Sequence, residues 1–375
     1  MKSRLLFIIS IIVLGATSCI KDEPLNRETD IESFIIKDNS YVDTDIRNKE
    51  VFVYVTDEIN MASVAPEIEV TEGATISPES GSTQDFSKGS ITYTVVSQDG
   101  NYSKDYAVTV VRLSSLNLVF DFENWKKTEE YYDLQVKTEE EILVKLWDSG
   151  NPGIAFVNKG KDFPTAPTTD SHTGTYAAKL ETLKGNVSIG NIKIPIFSGS
   201  LFYGSFSLKE GIAEPRKCLR LGRIHPEKAG MPLTFTGYYK YKVGKPYIYL
   251  DDNNNEQSTN DIIDEFSIYS VLYKVPKGQA YKVFLDGITI MDSEMIVARA
   301  DWKPETASQT DTPADKGFTK FTIPFKYKPG EEVLNYAAFD YKLVIMFASS
   351  KDGNEYKGGV GSTLIVDDVE VICDK

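Results

Sequence analysis

The chain has 375 residues, with 41 lysines and arginines against 55 aspartates and glutamates, a formal net charge of −14. A chain this acidic repels a phosphate backbone, which excludes nucleic acid as a partner but leaves neutral polymers open. Three cysteines and two histidines, with no C-x-x-C and no G-x-S-x-G, argue against a structural zinc cage and a serine-nucleophile elbow.

Residues 1–18 have the layout of a secretory leader. Lys2 and Arg4 make a basic start, and Leu5 to Leu14 is apolar except for Ser10. That run is too short for a transmembrane helix, which needs roughly 20 residues. Small residues, Ala16-Thr17-Ser18, then precede Cys19. A peptidase that cuts before a lipid-modified cysteine needs small side chains there, so Cys19 is expected to carry lipid and anchor the mature chain to an outer membrane. Residues 19–29 read as a polar tether. The tag Ile20-Lys21-Asp22-Glu23-Pro24 resembles that of surface-exported lipoproteins of Bacteroidetes, which implies a cell-surface location.

A first domain is expected over residues 30–113. Val51, Val53 and Val55 alternate with Phe52 and Tyr54; Ile91, Tyr93 and Val95 alternate with Thr92 and Thr94; Tyr106, Val108 and Val110 alternate with Ala107 and Thr109. Period two with β-branched residues predicts strands, and Asp99-Gly100 predicts the turn between the last two. Several short strands in one small domain predict an immunoglobulin-like β-sandwich. Ala74-Thr75-Ile76-Ser77-Pro78, Ser80-Gly81 and Ile91 to Val95 resemble the Ig-like domains of Bacteroidetes surface lipoproteins. The resemblance implies a spacer that lifts the rest of the chain from the membrane.

Residues 114–375 are again rich in strands and turns, which predicts an all-β protein whose larger domain is a two-sheet jelly-roll sandwich. Glu139 to Val144 is the best helix candidate, 251–261 and 305–317 read as polar loops, and a last strand is expected from Leu364 to Ile372. Asp251 to Glu256 invites an EF-hand reading, but the sixth position is Glu256 and the twelfth Ile262, so a polar turn is expected. Cys218 and Cys373 are open to pairing or to standing as thiols.

Five phrases follow one another along this domain. They are Phe120-Asp121-Phe122-Glu123-Asn124-Trp125, Trp147-x-Ser149-Gly150-Asn151-Pro152-Gly153, Ala177-Ala178-Lys179-Leu180-Glu181-Thr182, Gly237-Tyr238-Tyr239-Lys240-Tyr241 and Gly361-Ser362-Thr363-Leu364-x-Val366-Asp367. In this order they resemble the putative carbohydrate metabolism domain family of Bacteroidetes. The resemblance implies a jelly roll behind an Ig-like domain and a carbohydrate-binding pocket, with glycan-uptake proteins as further partners. Three readings stay open: a carbohydrate-binding surface protein, a glycoside hydrolase, and a structural or adhesion protein.

Candidate site residues follow from chemistry. Along Leu233 to Lys242, alternation turns Leu233, Phe235, Gly237, Tyr239 and Tyr241 inward and leaves Tyr238 and Lys240 outward as a ring and a donor for sugar, unless a bulge exchanges the faces. Trp147 precedes Ser149-Gly150-Asn151-Pro152-Gly153, where Gly and Pro predict irregular backbone that places Trp147 and Asn151 at a loop edge, the tryptophan as either a ligand platform or a cover for the core. Asp121 and Glu123 are expected to leave one face of a strand, as solvated groups, as a hydrolase acid/base pair, or, for Glu123 with Asp367 or Asp368, as ligands of a structural calcium.

Overall fold

The computed structural model describes residues 25–38, 40–112, 118–139, 141–157, 162–190, 192–211, 214–304 and 311–374. The leader and Cys19 lie outside them. The protein is all-β.

The N-terminal unit is a five-stranded sheet in the order Tyr41–Ile46, Glu50–Val55, Ser103–Arg112, Ile91–Val96, Thr75–Ser77, facing the antiparallel pair Ile31–Ile36 and Pro66–Val70. Glu50–Val55 runs parallel to Ser103–Arg112, and the other neighbours are antiparallel. The alternation sorts as the sequence predicts. Val51, Val53, Val55, Tyr93, Val95, Tyr106, Val108 and Val110 form the core of this unit.

The other face of Glu50–Val55 is covered too. Phe52 and Tyr54, with Val111, are buried in the core cluster that contains Phe120, Leu146, Trp147 and Tyr203 of the larger unit. A strand apolar on both faces needs cover on both, and the second cover is the neighbouring sandwich. The expected spacer is therefore docked side-on.

Charge fixes the dock. Asp45 Oδ2 accepts from Arg223 Nη2 at 2.8 Å and from Arg47 Nη2 at 2.5 Å. Arg47 also donates to the Lys145 carbonyl at 2.6 Å, and Arg223 to the carbonyls of Gly204 at 2.7 Å and Leu146 at 3.1 Å. At the rim, Lys126 pairs with Glu50 and Lys228 with Asp57.

The larger unit is two packed antiparallel sheets. One runs Trp147–Ser149, Ser200–Phe206, Phe339–Ala348, Ser267–Pro276, Ile296–Asp301, Lys326–Tyr327, with Leu219–Leu221 and Arg223–His225 attached. The other runs Thr165–Thr168, Ala177–Glu181, Thr363–Asp374, Met231–Lys242, Thr319–Pro324, Thr312–Pro313, with Val119–Phe120 attached to Thr363–Asp374. Leu180, Phe235, Phe321, Leu364 and Val366 of the second sheet meet Leu201, Leu272, Ala298, Leu343 and Phe347 of the first.

Local expectations were corrected in two places. Of the stretch expected to be helical, residues 139 and 141–144 are not: Leu143–Val144 pairs with Tyr132–Lys137, and Glu141 has φ of 63°. The stretch 151–157, where Gly and Pro predict irregular backbone, is a short helix, Asn151–Val157. Proline is tolerated in a first helical turn because its missing N–H would be unpaired there anyway. Asp251 does make a polar turn, with Oδ1 accepting from the Asn253 and Asn255 N–H groups at 2.9 and 2.8 Å. Cys218 and Cys373 are both thiols.

Candidate functional site

The strand Met231–Lys242 sends Phe235 into the core and packs Tyr239 and Tyr241 against it, while Tyr238 and Lys240 face outward. Leu233 breaks the pattern and stays 40% exposed, because the register slips between Pro232 and Thr234. The bulge that matters lies on the neighbouring last strand. Thr236 pairs with Glu370 but Tyr238 with Asp367, so one residue faces two, and the extra residue, Asp368, has φ of 44°. That extra residue resets the alternation, so Leu364, Val366, Val369 and Val371 all point inward. Without it Asp368 would enter the core. With it Asp367 and Asp368 both serve the outer side.

Residues 170–176 fold over these two carboxylates. Asp367 Oδ2 accepts from the backbone N–H groups of His172 at 2.7 Å and Thr173 at 3.3 Å. Asp368 bonds to His172 Nδ1 at 2.6 Å and accepts from the Thr173 hydroxyl at 2.7 Å. Glu123 holds the other end of the loop, its Oε1 accepting from the Thr175 and Tyr176 N–H groups at 2.9 and 3.0 Å. A Cβ on Gly174, whose φ is +56°, would stand 2.1 Å from that oxygen, so the loop passes Glu123 only as glycine.

The His172 ring stacks on Tyr238 at 3.7 Å between centroids, 13° from parallel, with Phe318 edge-on at 5.7 Å. Lys240 Nζ lies 4.4 Å above Phe318 and pairs with Asp170. Lys316 donates to the Ser171 carbonyl at 3.0 Å, and Lys320 Nζ stands 5.8 Å from the Tyr238 ring. On an acidic chain this is a compact set of rings, ammonium donors and carboxylate acceptors. Asp367 is fully covered, and no lysine or arginine among the described residues pairs with it. Burial, and then the Asp368 charge, push its carboxyl up to about 6.

Five predicted residues therefore meet around one loop: Glu123, Asp367, Asp368, Tyr238 and Lys240. Two do not. Trp147 is a core residue, fully buried and edge-on to Phe120 and Phe122 at 5.0 and 5.7 Å, because the strand Trp147–Ser149 pairs with Ser200–Phe206 and carries the ring between the sheets. Asn151 is fully buried, its amide donating to the Thr165 carbonyl at 2.7 Å and accepting from the Thr165 N–H at 3.3 Å. It ties the helix start to a strand and has no face left for a ligand.

Asp121 and Glu123 do not leave one strand side by side. The strand ends at Phe120, and Phe122 turns left-handed at φ of 52°. Calcium at Glu123, Asp367 and Asp368 does not fit either. Both oxygens of Asp367 and Asp368 and Oε1 of Glu123 are already engaged in hydrogen bonds, and among the described residues no three histidine, cysteine or acidic side chains converge as a metal cage.

His172 is the functional candidate that period-two reasoning misses. The signal available in sequence was scarcity. The second histidine, His225, is buried and spent on the Gly230 carbonyl at 2.6 Å, leaving His172 as the imidazole near the surface.

The two packed sheets define an all-β sandwich protein, and the family it matches is carbohydrate-related. Residues 121–372 match the model of the putative carbohydrate metabolism domain, and the chain belongs to that family. Residues 31–110 match the SGBP N-terminal model. Among solved structures, the chain is similar to a putative glycoside hydrolase from Bacteroides thetaiotaomicron VPI-5482, at 29% identity and a TM-score of 0.79, over 95% of this chain and 99% of that one. It is also similar to a putative glycoside hydrolase from Bacteroides vulgatus ATCC 8482, at 30% identity and a TM-score of 0.57, over 69% of this chain and 99% of that one. No curated protein matches the chain.

Proposed function

We propose that this protein is a lipid-anchored, surface-exposed outer-membrane protein that binds carbohydrate on the outer face of its seven-stranded sheet, around the 170–176 loop. The observation that carries the reading is the convergence there of Tyr238, His172 and Phe318 with Lys240, Lys316, Lys320, Asp170 and Asp368. A pyranose presents an apolar C–H face and a rim of hydroxyls, so its site needs rings beside donors and acceptors. The family supports the class of ligand. The basic start, the apolar run and the small residues before Cys19 support the anchor.

The test is a glycan array probed with the chain from Lys21 onward, then calorimetry with a hit. Tyr238→Ala and Lys240→Ala should each cost on the order of 1–3 kcal/mol, roughly 5- to 150-fold in affinity. Unchanged affinity in both would remove this face from the reading. Steep weakening with salt would replace a neutral glycan by an anionic one.

Hydrolysis is the second reading, supported by the names of the two solved relatives. Here the acids to replace are Asp121 and Glu123. If the array hit is cleaved, and an amide at either position stops cleavage while binding persists, the protein is a hydrolase.

A further inference from the structure

A separate cavity of about 160 Å³ opens beside the segment 119–122 and the strand Tyr132–Lys137, and none of the outer-face residues lines it. Phe120, Phe122 and Trp147 form its apolar wall; Asp121, Gln135 and Lys137 supply its polar groups. Two observations set it apart. Trp147 Nε1 is buried and has no hydrogen-bond partner. The other two indoles are satisfied, Trp125 by the Phe122 carbonyl at 2.7 Å and Trp302 by Asp311 at 2.9 Å. A buried N–H without an acceptor is costly and rare in folded proteins. The second observation is Phe122, a bulky residue at φ of 52° that is fixed in this strained state between Asp121 and Glu123. A wall residue held in an unfavourable conformation and an orphaned donor on a second wall residue are features that a ligand would justify.

We propose that this cavity holds one ring of a neutral sugar. The aromatic wall offers the C–H face a partner, and the indole N–H, the Asp121 carboxylate, the Gln135 amide and the Lys137 ammonium offer hydroxyls both donors and acceptors. Lys137 already pairs with Glu141, and Asp121 Oδ1 accepts from the Glu123 N–H, so neither charge is left without a partner and the remaining hydrogen-bonding capacity suits an uncharged ligand. The volume limits it to a single ring, at a chain end or free. The inference rests on the carbohydrate class proposed above but uses none of the outer-face residues and shares only Asp121 with the hydrolysis reading, so Lys137→Ala and Tyr238→Ala let the two fail separately.

The experiment is calorimetry of the full mature chain with glucose, galactose, mannose and N-acetylglucosamine. At least one should bind saturably. Asp121→Ala and Lys137→Ala, both at exposed positions, should weaken that binding about fivefold or more, while Tyr238→Ala leaves it unchanged. Trp147→Phe, which keeps a ring but deletes the N–H, should weaken it similarly; if that variant does not fold, the two exposed variants decide alone. No saturable binding by any of the four sugars overturns the proposal. So does binding that Lys137→Ala and Asp121→Ala both spare, and if Tyr238→Ala removes that binding, it belongs to the outer face.

Discussion

Asp45 and Asp367 are both hidden from solvent, one at the dock between the two units and one beneath the 170–176 loop, and they are held in opposite ways. Asp45 meets two guanidinium groups, Arg47 and Arg223. Despite burial, these hold its carboxyl well below the usual carboxylate range. Asp367 meets backbone N–H groups and a neighbouring carboxylate, and burial dominates, pushing it up to about 6. Paired charge fixes the geometry of the interface. Unpaired buried charge leaves a loop whose hold depends on pH.

Near the dock a second acid–base pair shows what weaker compensation does. Burial pushes the Asp43 carboxyl up and the Lys342 amine down, each toward its neutral form. Lys342 is satisfied by the Ala280 and Val283 carbonyls at 2.9 and 3.1 Å, with the Phe284 ring 3.6 Å away. The dock is thus strongly paired at Asp45 and less fully compensated at Asp43.

The comparison breaks first at the dock. Asp45→Ala leaves two buried guanidinium groups without their anion, and chemical denaturation should show a loss of about 3–5 kcal/mol. A loss under about 1 kcal/mol would mean that the units are held by apolar contact alone. A fragment beginning at residue 118 should be poorly soluble for the same reason, since it uncovers the surface on which Phe52, Tyr54 and Val111 pack.

Acid separates the two aspartates. The folded pKa of Asp367 lies above its unfolded value near 3.8, so the folded state binds more protons between the two and stability falls as pH rises through that window. Asp45 has the reverse shift, so its contribution is intact above about pH 4 and is lost only below it. Asp367→Asn should therefore gain about 2–3 kcal/mol relative to the parent between pH 4 and pH 7. Parallel stability curves for the two proteins across that range would reject the assignment.

Smaller effects belong to the loop. Glu123→Ala frees the Thr175 and Tyr176 N–H groups at an accessible edge, so it should cost about 1 kcal/mol globally and speed amide exchange across 172–176. Unchanged exchange there would show that Asp367 and Asp368 hold the loop without Glu123. Asp170→Ala, which removes an exposed partner of Lys240, should change stability by less than about 1 kcal/mol. A larger loss would show that the 170–176 loop needs this pair to stay closed.

By itself the sequence determined the all-β class, the strands that alternate, the outward direction of Tyr238 and Lys240, and the family, because these depend on local period and on ordered phrases. It named Glu123, Asp367 and Asp368 but not their task, since the groups that bond to them come from a loop some 50 and 195 residues away in the chain. It left Trp147 between a ligand platform and a cover for the core, and it put Asn151 at a loop edge where the structure buries it. A glycine-rich stretch announces a turn but does not reveal that a partner strand and a second sheet close over it. The docking of the N-terminal unit was present only as a strand apolar on both faces, Val51 to Val55. What lay on the far side, and that Arg223 waited there for Asp45, was decided by tertiary structure, because burial and charge pairing depend on which surfaces meet.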